Sequence, residues 1–144
     1  MKVYLDTCCW NRLFDRPQIG RVKLETDAVL ELLALAEQGN IKLIWSSVLE
    51  YEIANNPNNE IADAIKNVAK ICETTITLTE DIVHRASIIS SYGIDYFDAL
   101  HFACSEKSNA DIFATVDDKL LKRISKITTH VHCVNPLTYI IQGI

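Results

Sequence analysis

Apolar residues along the chain follow two patterns: short continuous runs, and longer segments in which they recur every three or four positions. The short runs are typical of buried strands and predict strands at 2–6, 41–45, 74–78, 111–115 and 130–134. The helical spacing predicts helices at 21–38, 46–54, 60–72, 80–92, 95–107, 117–125 and 136–142. Strands that alternate with helices in this way indicate an α/β fold with a mainly parallel sheet.

Acidic residues occur where several of these strands end. In open α/β sheets, ligands bind beyond the carboxyl ends of the strands. The acids at such positions are Asp6 after the first strand, Glu50 and Glu52 after the second, and Asp117 and Asp118 after the strand at 111–115. Asp95 and Asp98 begin a helix, from which they can reach the same edge of the sheet.

Helix capping accounts for some of these acids. A Ser, Thr or Asp at a helix start accepts free backbone N–H groups, and an acid three residues later can reach back to it. Three pairs have this spacing: Ser47 with Glu50, Asp95 with Asp98, and Thr115 with Asp118. We therefore assign Glu50, Asp95 and Asp118 to capping.

The remaining acids have no complete structural explanation. Glu52 lies inside its helix, either on a solvated face or at a site, and Asp6 is either the N-cap of a following helix or a ligand. Asp98 leads into the apolar segment ALHFAC, which we expect to be buried, and ionised carboxylates are seldom buried without a partner.

A metal ion would explain why several acids meet. Two carboxylates about 4 Å apart repel by about 4 kcal/mol at an effective dielectric constant of about 20. A divalent cation converts this repulsion into attraction. Oxygen ligands without a paired His or Cys favour Mg²⁺ or Mn²⁺ over zinc. Such an ion polarises a phosphoryl oxygen and activates water for in-line attack.

Four segments together resemble the PIN-domain ribonucleases, which include the VapC-like toxins of toxin–antitoxin pairs. They are YLDT (4–7), SSVLEYEI (46–53), DALHFA (98–103) and FATVDDKLL (113–121), in the order of the family. The resemblance implies one PIN-like domain over residues 1–144, with a Rossmann-like three-layer α/β/α sandwich. It also implies hydrolysis of RNA with Mg²⁺ or Mn²⁺, an antitoxin partner and a homodimer.

Carried over by position, the resemblance assigns catalysis and metal binding to Asp6, Glu52, Asp98 and Asp117. Glu52 is preferred to Glu50 because the acid of the family is followed by an aliphatic residue, and the capping argument agrees. The same two arguments favour Asp98 over Asp95 and Asp117 over Asp118.

Three further residues are expected beside this pocket: Thr115 as a polar neighbour, Asp95 at the helix start, and Asn11 as a polar group that could assist. Asn11 is considered because Cys8 and Cys9 follow the first acid, where the family more often has Ser, Asn or an aliphatic residue. This departure bears on the subfamily and the substrate.

Basic and histidine side chains offer further candidates. Four basic residues at helical spacing could contact the phosphates of single-stranded RNA or could form a solvated face: Lys119, Lys122, Arg123 and Lys126. We interpret His101 as a hydrogen-bonded packing residue rather than a general base. His130 and His132 indicate an edge strand rather than a site for a soft metal.

Composition limits the class of protein. The chain has 144 residues, which suits one domain, and its net charge of −5 argues against coating nucleic acid through bulk positive charge. The five cysteines include no CxxC motif, so we expect reduced thiols in a cytoplasmic protein. No apolar run approaches the roughly 20 residues that span a membrane.

Other functions are less consistent with the sequence. The chain has no GxGxxG, P-loop or GxSxG motif. An aspartyl-phosphate phosphatase would be expected to carry a second Asp two residues after Asp6, where this chain has Cys8. The non-enzymatic alternative is a PIN-like scaffold that binds RNA or a protein without cleavage, but such a scaffold has no need of mutually repelling acids.

Overall fold

Five parallel strands form the central sheet. The computed structural model describes residues 1–142. Its strands are β1 (Lys2–Leu5), β2 (Lys42–Ser46), β3 (Thr74–Ile76), β4 (Ile112–Ala114) and β5 (His132–Val134). They lie in the order β3-β2-β1-β4-β5, and every neighbouring pair is parallel. The predicted strands are thus all present, and β5 is an edge strand, as expected for the segment with His130 and His132.

Eight α-helices connect and follow these strands within residues 1–142. They are α1 (Thr7–Arg12), α2 (Gly20–Glu37), α3 (Ser47–Ala54), α4 (Asn59–Val68), α5 (Glu80–Ser90), α6 (Tyr96–Lys107), α7 (Asp118–Ile124) and α8 (Pro136–Gln142). The end of the predicted helix at 60–72 is instead a short 3-10 helix, Ala69–Ile71. None of the helices in this part of the chain has the length and apolar character needed to cross a membrane.

Helix α1 was not predicted from the sequence. Its segment TCCWNR consists largely of residues with weak helix propensity. The helix forms because the Asp6 side chain caps its first turn and because Cys9 and Trp10 are buried in the core. Trp10 meets Trp45 edge to face, with ring centroids 5.3 Å apart, so tertiary packing stabilises the helix.

The order of the strands places helices on both faces of the sheet. The chain passes from β1 to β2 and β3 on one side, and then returns across the sheet to β4 and β5 on the other. Since crossovers between parallel strands are right-handed, connections that run in opposite directions put their helices on opposite faces. The result is the expected α/β/α sandwich, and the strand order reverses at β1, where such folds bind ligands.

The central strand β1 is buried on both faces, as is usual for a covered parallel sheet. Val3, Tyr4 and Leu5 are all fully buried. The Tyr4 ring stacks on Phe113 of β4 at a centroid distance of 5.7 Å, and Phe113 meets Phe102 of α6 edge to face at 5.4 Å. This aromatic packing holds α6 against the middle of the sheet.

A buried carboxylate joins α1, α2 and the segment before α8. Glu25 is fully buried, and its oxygens accept hydrogen bonds from Arg12, Arg21 and Asn135. The shortest of these, from Asn135 Nδ2, is 2.6 Å long. The hydrogen bonds outweigh the effect of burial and lower the pKa of Glu25, so the carboxylate is ionised at neutral pH.

We expect Glu25→Gln to lower the free energy of unfolding by about 2 kcal/mol, because it leaves Arg12 partly buried without a full counter-charge. Urea unfolding at pH 7 measures the change. The matched control is Asp27→Asn on the same helix, where an exposed carboxylate pairs with the exposed Lys23 and the expected effect is below about 0.5 kcal/mol. Equal losses in the two variants would contradict the stabilising role of the buried cluster.

Candidate functional site

The candidate site lies at the carboxyl ends of the three central strands. Asp6 directly follows β1, Ser46 is the last residue of β2, and Thr115 directly follows β4. Because β1 lies between β2 and β4, these three residues are neighbours at one edge of the sheet. The predicted position of the site at this edge therefore agrees with the topology.

Asp6 both caps a helix and faces the site. Its side chain is almost completely buried, at 4% exposure. One carboxylate oxygen accepts the backbone N–H of Thr7 at 2.9 Å, while the other accepts the hydroxyl of Thr115 at 2.9 Å. The two interpretations of Asp6 that the sequence left open are thus compatible, since one oxygen serves the cap and the other points across to β4.

Glu52 is held by hydrogen bonds and does not lie on a solvated helix face. The same oxygen, Oε1, accepts the Thr7 hydroxyl at 2.7 Å and a very short hydrogen bond from His101 Nε2. Burial alone would raise the pKa of Glu52, but the hydrogen bonds from His101 and Thr7 outweigh it and lower the pKa. Glu52 is therefore an ionised carboxylate in a fixed position.

Among the candidate acids, Asp98 is the one whose carboxylate accepts no hydrogen bond within residues 1–142. It is half-buried in the first turn of α6, and within residues 1–142 no side chain or backbone N–H donates a hydrogen bond to it. Burial raises its pKa to about 7, together with repulsion from Asp6, Asp95 and Asp117. Asp98 is therefore close enough to these three acids to be affected by their charges.

Asp95 and Asp117 are exposed N-caps at the rim of the site. Asp95 caps α6 by accepting the backbone N–H of Phe97 at 3.1 Å, as predicted. Asp117 caps α7 by accepting the backbone N–H groups of Lys119 and Leu120 at 3.0 and 3.1 Å. Asp117 therefore has a structural role that the sequence analysis did not give it.

The predicted pairing of Thr115 with Asp118 is wrong. Because β4 ends at Ala114, two residues of connection precede the N-cap, which falls on Asp117. Thr115 is fully buried, accepts the backbone N–H of Asp117 at 3.2 Å and donates its hydroxyl to Asp6, so it lies next to that carboxylate. Asp118 instead forms an exposed ion pair with Arg21 at 2.7 Å.

The predicted pairing of Ser47 with Glu50 is also wrong. Ser46 has the extended backbone of an N-cap, and its hydroxyl accepts the backbone N–H of Leu49 at 3.0 Å. Ser47 lies one residue inside the helix, where its hydroxyl accepts the backbone N–H of Leu78. Glu50 is exposed on the surface and makes no capping hydrogen bond within residues 1–142, so the preference for Glu52 rests on the family pattern and not on capping.

Several residues that contact the candidate acids were not recognised in the sequence. Thr7 bonds to Glu52, and Cys8 Sγ lies 3.2 Å from the Thr115 hydroxyl and 3.5 Å from Asp6 Oδ2. Their place directly after the first acid is the only signal that could have indicated them. Within residues 1–142, Asn11 forms no hydrogen bond with these acids, and its Oδ1 is buried without a hydrogen-bond partner.

The four basic residues on and after α7 are Lys119, Lys122, Arg123 and Lys126. All four side chains are exposed to solvent, and within the described part of the chain none of them forms an ion pair. Lys119 lies in the first turn of α7, next to its cap at the rim of the site. Lys126 lies beyond the end of the helix. The group is free to bind anions.

The donors at this edge are mainly carboxylate oxygens, which suit a hard divalent cation. Within residues 1–142, however, no group of three or more His, Cys, Asp or Glu side chains is already arranged to coordinate a metal ion. The observation that fits such an ion is Asp98, which has no hydrogen-bond partner within residues 1–142 and whose pKa is raised by burial and then by repulsion from the surrounding acids. A cation placed among the acids would relieve this repulsion.

Comparison with known proteins agrees with this architecture. A family model described as the PIN domain matches residues 3–127. No curated protein matches the chain. Similar solved structures include VapBC2 from Rickettsia felis bound to a DNA fragment from their promoter, at 16% identity and a TM-score of 0.62 over 94% of this chain and 98% of that chain.

Two other solved structures are similar to the same degree. VapBC-1 from nontypeable Haemophilus influenzae is 19% identical, with a TM-score of 0.61 over 94% of this chain and 98% of that chain. VapC20 from Mycobacterium tuberculosis, a Sarcin-Ricin loop cleaving toxin, is 13% identical, with a TM-score of 0.61 over 90% of this chain and 98% of that chain. Likeness at such identities establishes the fold alone.

The raised pKa of Asp98 predicts a pH-dependent gain of stability in Asp98→Asn. In the folded protein Asp98 keeps its proton up to pH about 7, whereas in the unfolded chain it ionises near pH 4. Wild-type stability therefore falls as pH rises through this window. We expect the metal-free variant to be more stable than the wild type by about 1–2 kcal/mol at pH 8, after allowance for solvent screening.

Urea unfolding in EDTA at pH 4 and pH 8 measures this effect. The difference between variant and wild type should nearly vanish at pH 4, where Asp98 is protonated in the folded protein. The control Asp27→Asn, which neutralises an exposed carboxylate, should show no comparable gain. A difference that is the same at both pH values would contradict the assignment.

Proposed function

Because the chain belongs to the PIN-domain family, we propose that it is an endoribonuclease that hydrolyses RNA phosphodiester bonds with Mg²⁺ or Mn²⁺. The observation that carries the proposal is that several carboxylates lie close together at the carboxyl edge of the sheet. One of them, Asp98, accepts no hydrogen bond within residues 1–142. Such an arrangement disfavours the metal-free protein and gains stability from a divalent cation.

The ion would be held by Asp6, Glu52, Asp98 and Asp117, which supply oxygen ligands only. When bound, Mg²⁺ or Mn²⁺ polarises a phosphoryl oxygen of the substrate and lowers the pKa of water. Since no three of these side chains form a ready coordination group, ion binding requires their side chains to adjust.

The protein side chains prepare the site in different ways. Thr115 and the backbone of Thr7 hold Asp6, and Thr7 and His101 hold Glu52 in its ionised form. Asp98 is the group that must release a proton when the ion binds, since its pKa is about 7 in the metal-free protein. Two carboxylates are thus oriented in advance, and the third responds to the ion.

The RNA would be attracted by the exposed basic side chains near α7. Net charge cannot supply this attraction, because the chain as a whole carries −5. Lys119 lies beside the N-cap of α7 at the rim of the site, so an RNA phosphate contacted there would lie near the carboxylates. Lys122 and Arg123 on the same helix, and Lys126 beyond it, would extend the contact to further phosphates.

The wider role that we propose is that of a VapC-like toxin in the cytoplasm, with an antitoxin as partner and a homodimer as the assembly. Support comes from structural neighbours that are VapBC complexes, and from the neighbour described as a toxin that cleaves the Sarcin-Ricin loop. All five cysteines are free thiols, which suits a reducing compartment.

The second candidate function is a PIN-like scaffold that binds RNA or a protein without cleavage. The observation in its favour is that the acids are not already arranged as a coordination group within residues 1–142. A phosphatase that forms an aspartyl phosphate on Asp6 is disfavoured, since Asp6 is nearly fully buried and Cys8 occupies the position of the second Asp.

Cleavage of a panel of labelled single-stranded RNAs with Mg²⁺, with Mn²⁺ and with EDTA tests the proposed function. We expect the wild type to cleave only with metal and Asp6→Asn to lose cleavage, because the ion loses a ligand. Asp27→Asn serves as the control and should cleave like the wild type. Metal-independent cleavage, or full activity in Asp6→Asn, would contradict the assignment.

Melting curves with and without Mn²⁺ separate the two candidate functions if no RNA in the panel is cleaved. A rise in Tm with Mn²⁺ in the wild type, absent in Asp6→Asn, would show an intact metal site whose substrate is not in the panel. No rise in either protein would favour the scaffold.

The basic residues near α7 give an independent prediction. We expect the double variant Lys122→Gln and Arg123→Gln to bind single-stranded RNA more weakly. A plot of the log of the binding constant against log salt concentration should fall less steeply, with the slope smaller in magnitude by about 1.4. Fluorescence anisotropy in EDTA, which prevents metal-dependent cleavage, measures binding. Lys70→Gln, an exposed lysine on the 3-10 helix, is the control. An unchanged salt slope in the double variant would assign these residues to a solvated face.

A further inference from the structure

A row of buried polar groups runs from the end of β2 to Glu52. The Ser46 hydroxyl lies 2.7 Å from the Tyr4 hydroxyl, which lies 2.7 Å from His101 Nδ1. His101 Nε2 then bonds to Glu52 Oε1. Tyr4, Ser46 and His101 are each at most 1% exposed, so water does not supply alternative partners. A polar row of this kind at the centre of an apolar sheet requires an explanation.

The two ends of this row determine where its hydrogens lie. At one end, the backbone N–H of Leu49 donates to Ser46 Oγ at 3.0 Å, and an amide N–H can only donate. At the other end, Glu52 Oε1 already accepts the Thr7 hydroxyl at 2.7 Å, and a carboxylate oxygen in this position accepts from His101 as well. Each group between them has one hydrogen to give if the imidazole is neutral.

These constraints leave one arrangement in which every group is satisfied. Ser46 donates its hydrogen to Tyr4, Tyr4 donates to His101 Nδ1, and the hydrogen of the imidazole is on Nε2, where it is donated to Glu52. In the reverse direction the Ser46 hydroxyl would accept from both Leu49 and Tyr4, and its own hydrogen would be buried without an acceptor. An unsatisfied buried hydroxyl is costly, so the first arrangement is favoured.

We infer that His101 is a positioning residue for Glu52, locked in the Nε2–H tautomer by Tyr4 and Ser46 so that it holds the Glu52 carboxylate at the edge of the sheet. The part of this inference that concerns metal binding rests on the proposed function. His101 does not act as a general base, since both of its ring nitrogens are engaged in this row. It is also more than the packing residue that the sequence indicated.

The same row also fixes the helix that carries Glu52. Ser46 is the N-cap of α3, and Glu52 lies on that helix. Ser46 thus sets the start of the helix through its bond from Leu49, and it orients the Glu52 side chain through Tyr4 and His101. Thr7 adds a second donor to the same oxygen, at 2.7 Å. Backbone and side chain of Glu52 are therefore positioned by one set of hydrogen bonds.

Nitrogen-15 NMR of the metal-free protein at pH 7 tests the tautomer directly. We expect the His101 signals to show a protonated Nε2 and an unprotonated Nδ1 that accepts a hydrogen bond. Comparison with His101→Gln assigns the signals among the four histidines of the chain. A protonated Nδ1 with an unprotonated Nε2 would overturn the inference, because Nε2 could then not donate to Glu52.

Tyr4→Phe removes the donor to Nδ1 and keeps the ring that stacks on Phe113. We expect the chemical shift of His101 Nδ1 to change to that of a nitrogen without a hydrogen bond. We also expect the affinity for Mn²⁺ to fall roughly 10-fold, which is the smallest loss usual when a group that hydrogen-bonds to a metal ligand is removed. Tyr139→Phe is the matched control, since it removes another buried tyrosine hydroxyl, which contacts Met1 instead. Mn²⁺ binding is measured by calorimetry and by the shift in Tm.

Two substitutions of His101 separate positioning from packing. His101→Gln can keep an amide N–H near Nε2, and we expect its Mn²⁺ affinity to stay within a few-fold of the wild type. His101→Leu fills similar space without a donor, and we expect a loss of roughly 10–100-fold. Equal affinity in the leucine variant and the wild type would overturn the inference.

Failure of the proposed function gives a different result. If the wild type binds no Mn²⁺ and cleaves no RNA, the metal-dependent function is wrong. The tautomer of His101, and its response to Tyr4→Phe, are measured without metal and still decide whether the row of hydrogen bonds holds Glu52.

Discussion

Repulsion among the carboxylates at the edge of the sheet is the constraint on which the site depends. The topology places the end of β1 between the ends of β2 and β4, so the residues that follow these strands meet whatever their charges are. Asp6 and Glu52 are each held by specific hydrogen bonds, and those to Glu52 lower its pKa. Within residues 1–142 Asp98 has no such hydrogen bond, and burial together with repulsion from neighbouring acids raises its pKa to about 7. Repulsion among the carboxylates therefore destabilises the folded protein at this edge, and a bound cation would remove that repulsion.

Polar residues of the core are used in two different ways. Around Glu25, arginines and an asparagine surround one carboxylate and tie together α1, α2 and the segment before α8. This cluster is complete, and its role is to stabilise the structure. The row from Ser46 to Glu52 is also complete, but it ends at a partly exposed carboxylate that is a candidate ligand of the site. The first network joins elements of the fold, and the second orients a side chain of the site.

Capping residues at the site have a double role that follows from parallel α/β architecture. The strands end and the helices begin at the same edge, so an N-cap there is also next to any bound ligand. Asp6, Ser46 and Asp117 each cap a helix while lying among the candidate residues. A structural role for an acid in such a fold is therefore no argument against a functional one.

The sequence by itself determined the α/β class, all five strands and most of the helices, because continuous apolar runs and helical spacing depend only on which faces are buried. Local patterns also drew attention to Asp6 at a strand end and Asp98 before an apolar helix, whereas Glu52 was selected by the family resemblance. The α1 helix was not predictable, because the Asp6 cap and the burial of Trp10 stabilise it against its weak propensity. Caps were placed one or two residues wrongly after β2 and β4, because the cap position depends on where the strand ends.

Only the tertiary structure decided which polar side chains meet. Arg21 forms an ion pair with Asp118. Tyr4 forms a hydrogen bond with His101, although Tyr4 lies in a strand whose sequence shows only an apolar run. These contacts join residues that are 97 positions apart in both cases. A local pattern carries no information about such pairs, since their distance is set by strand order and by the packing of α6 on the sheet. Sequence thus determined where the acids lie along the chain, and the fold decided which of them are neutralised and which remain without a partner.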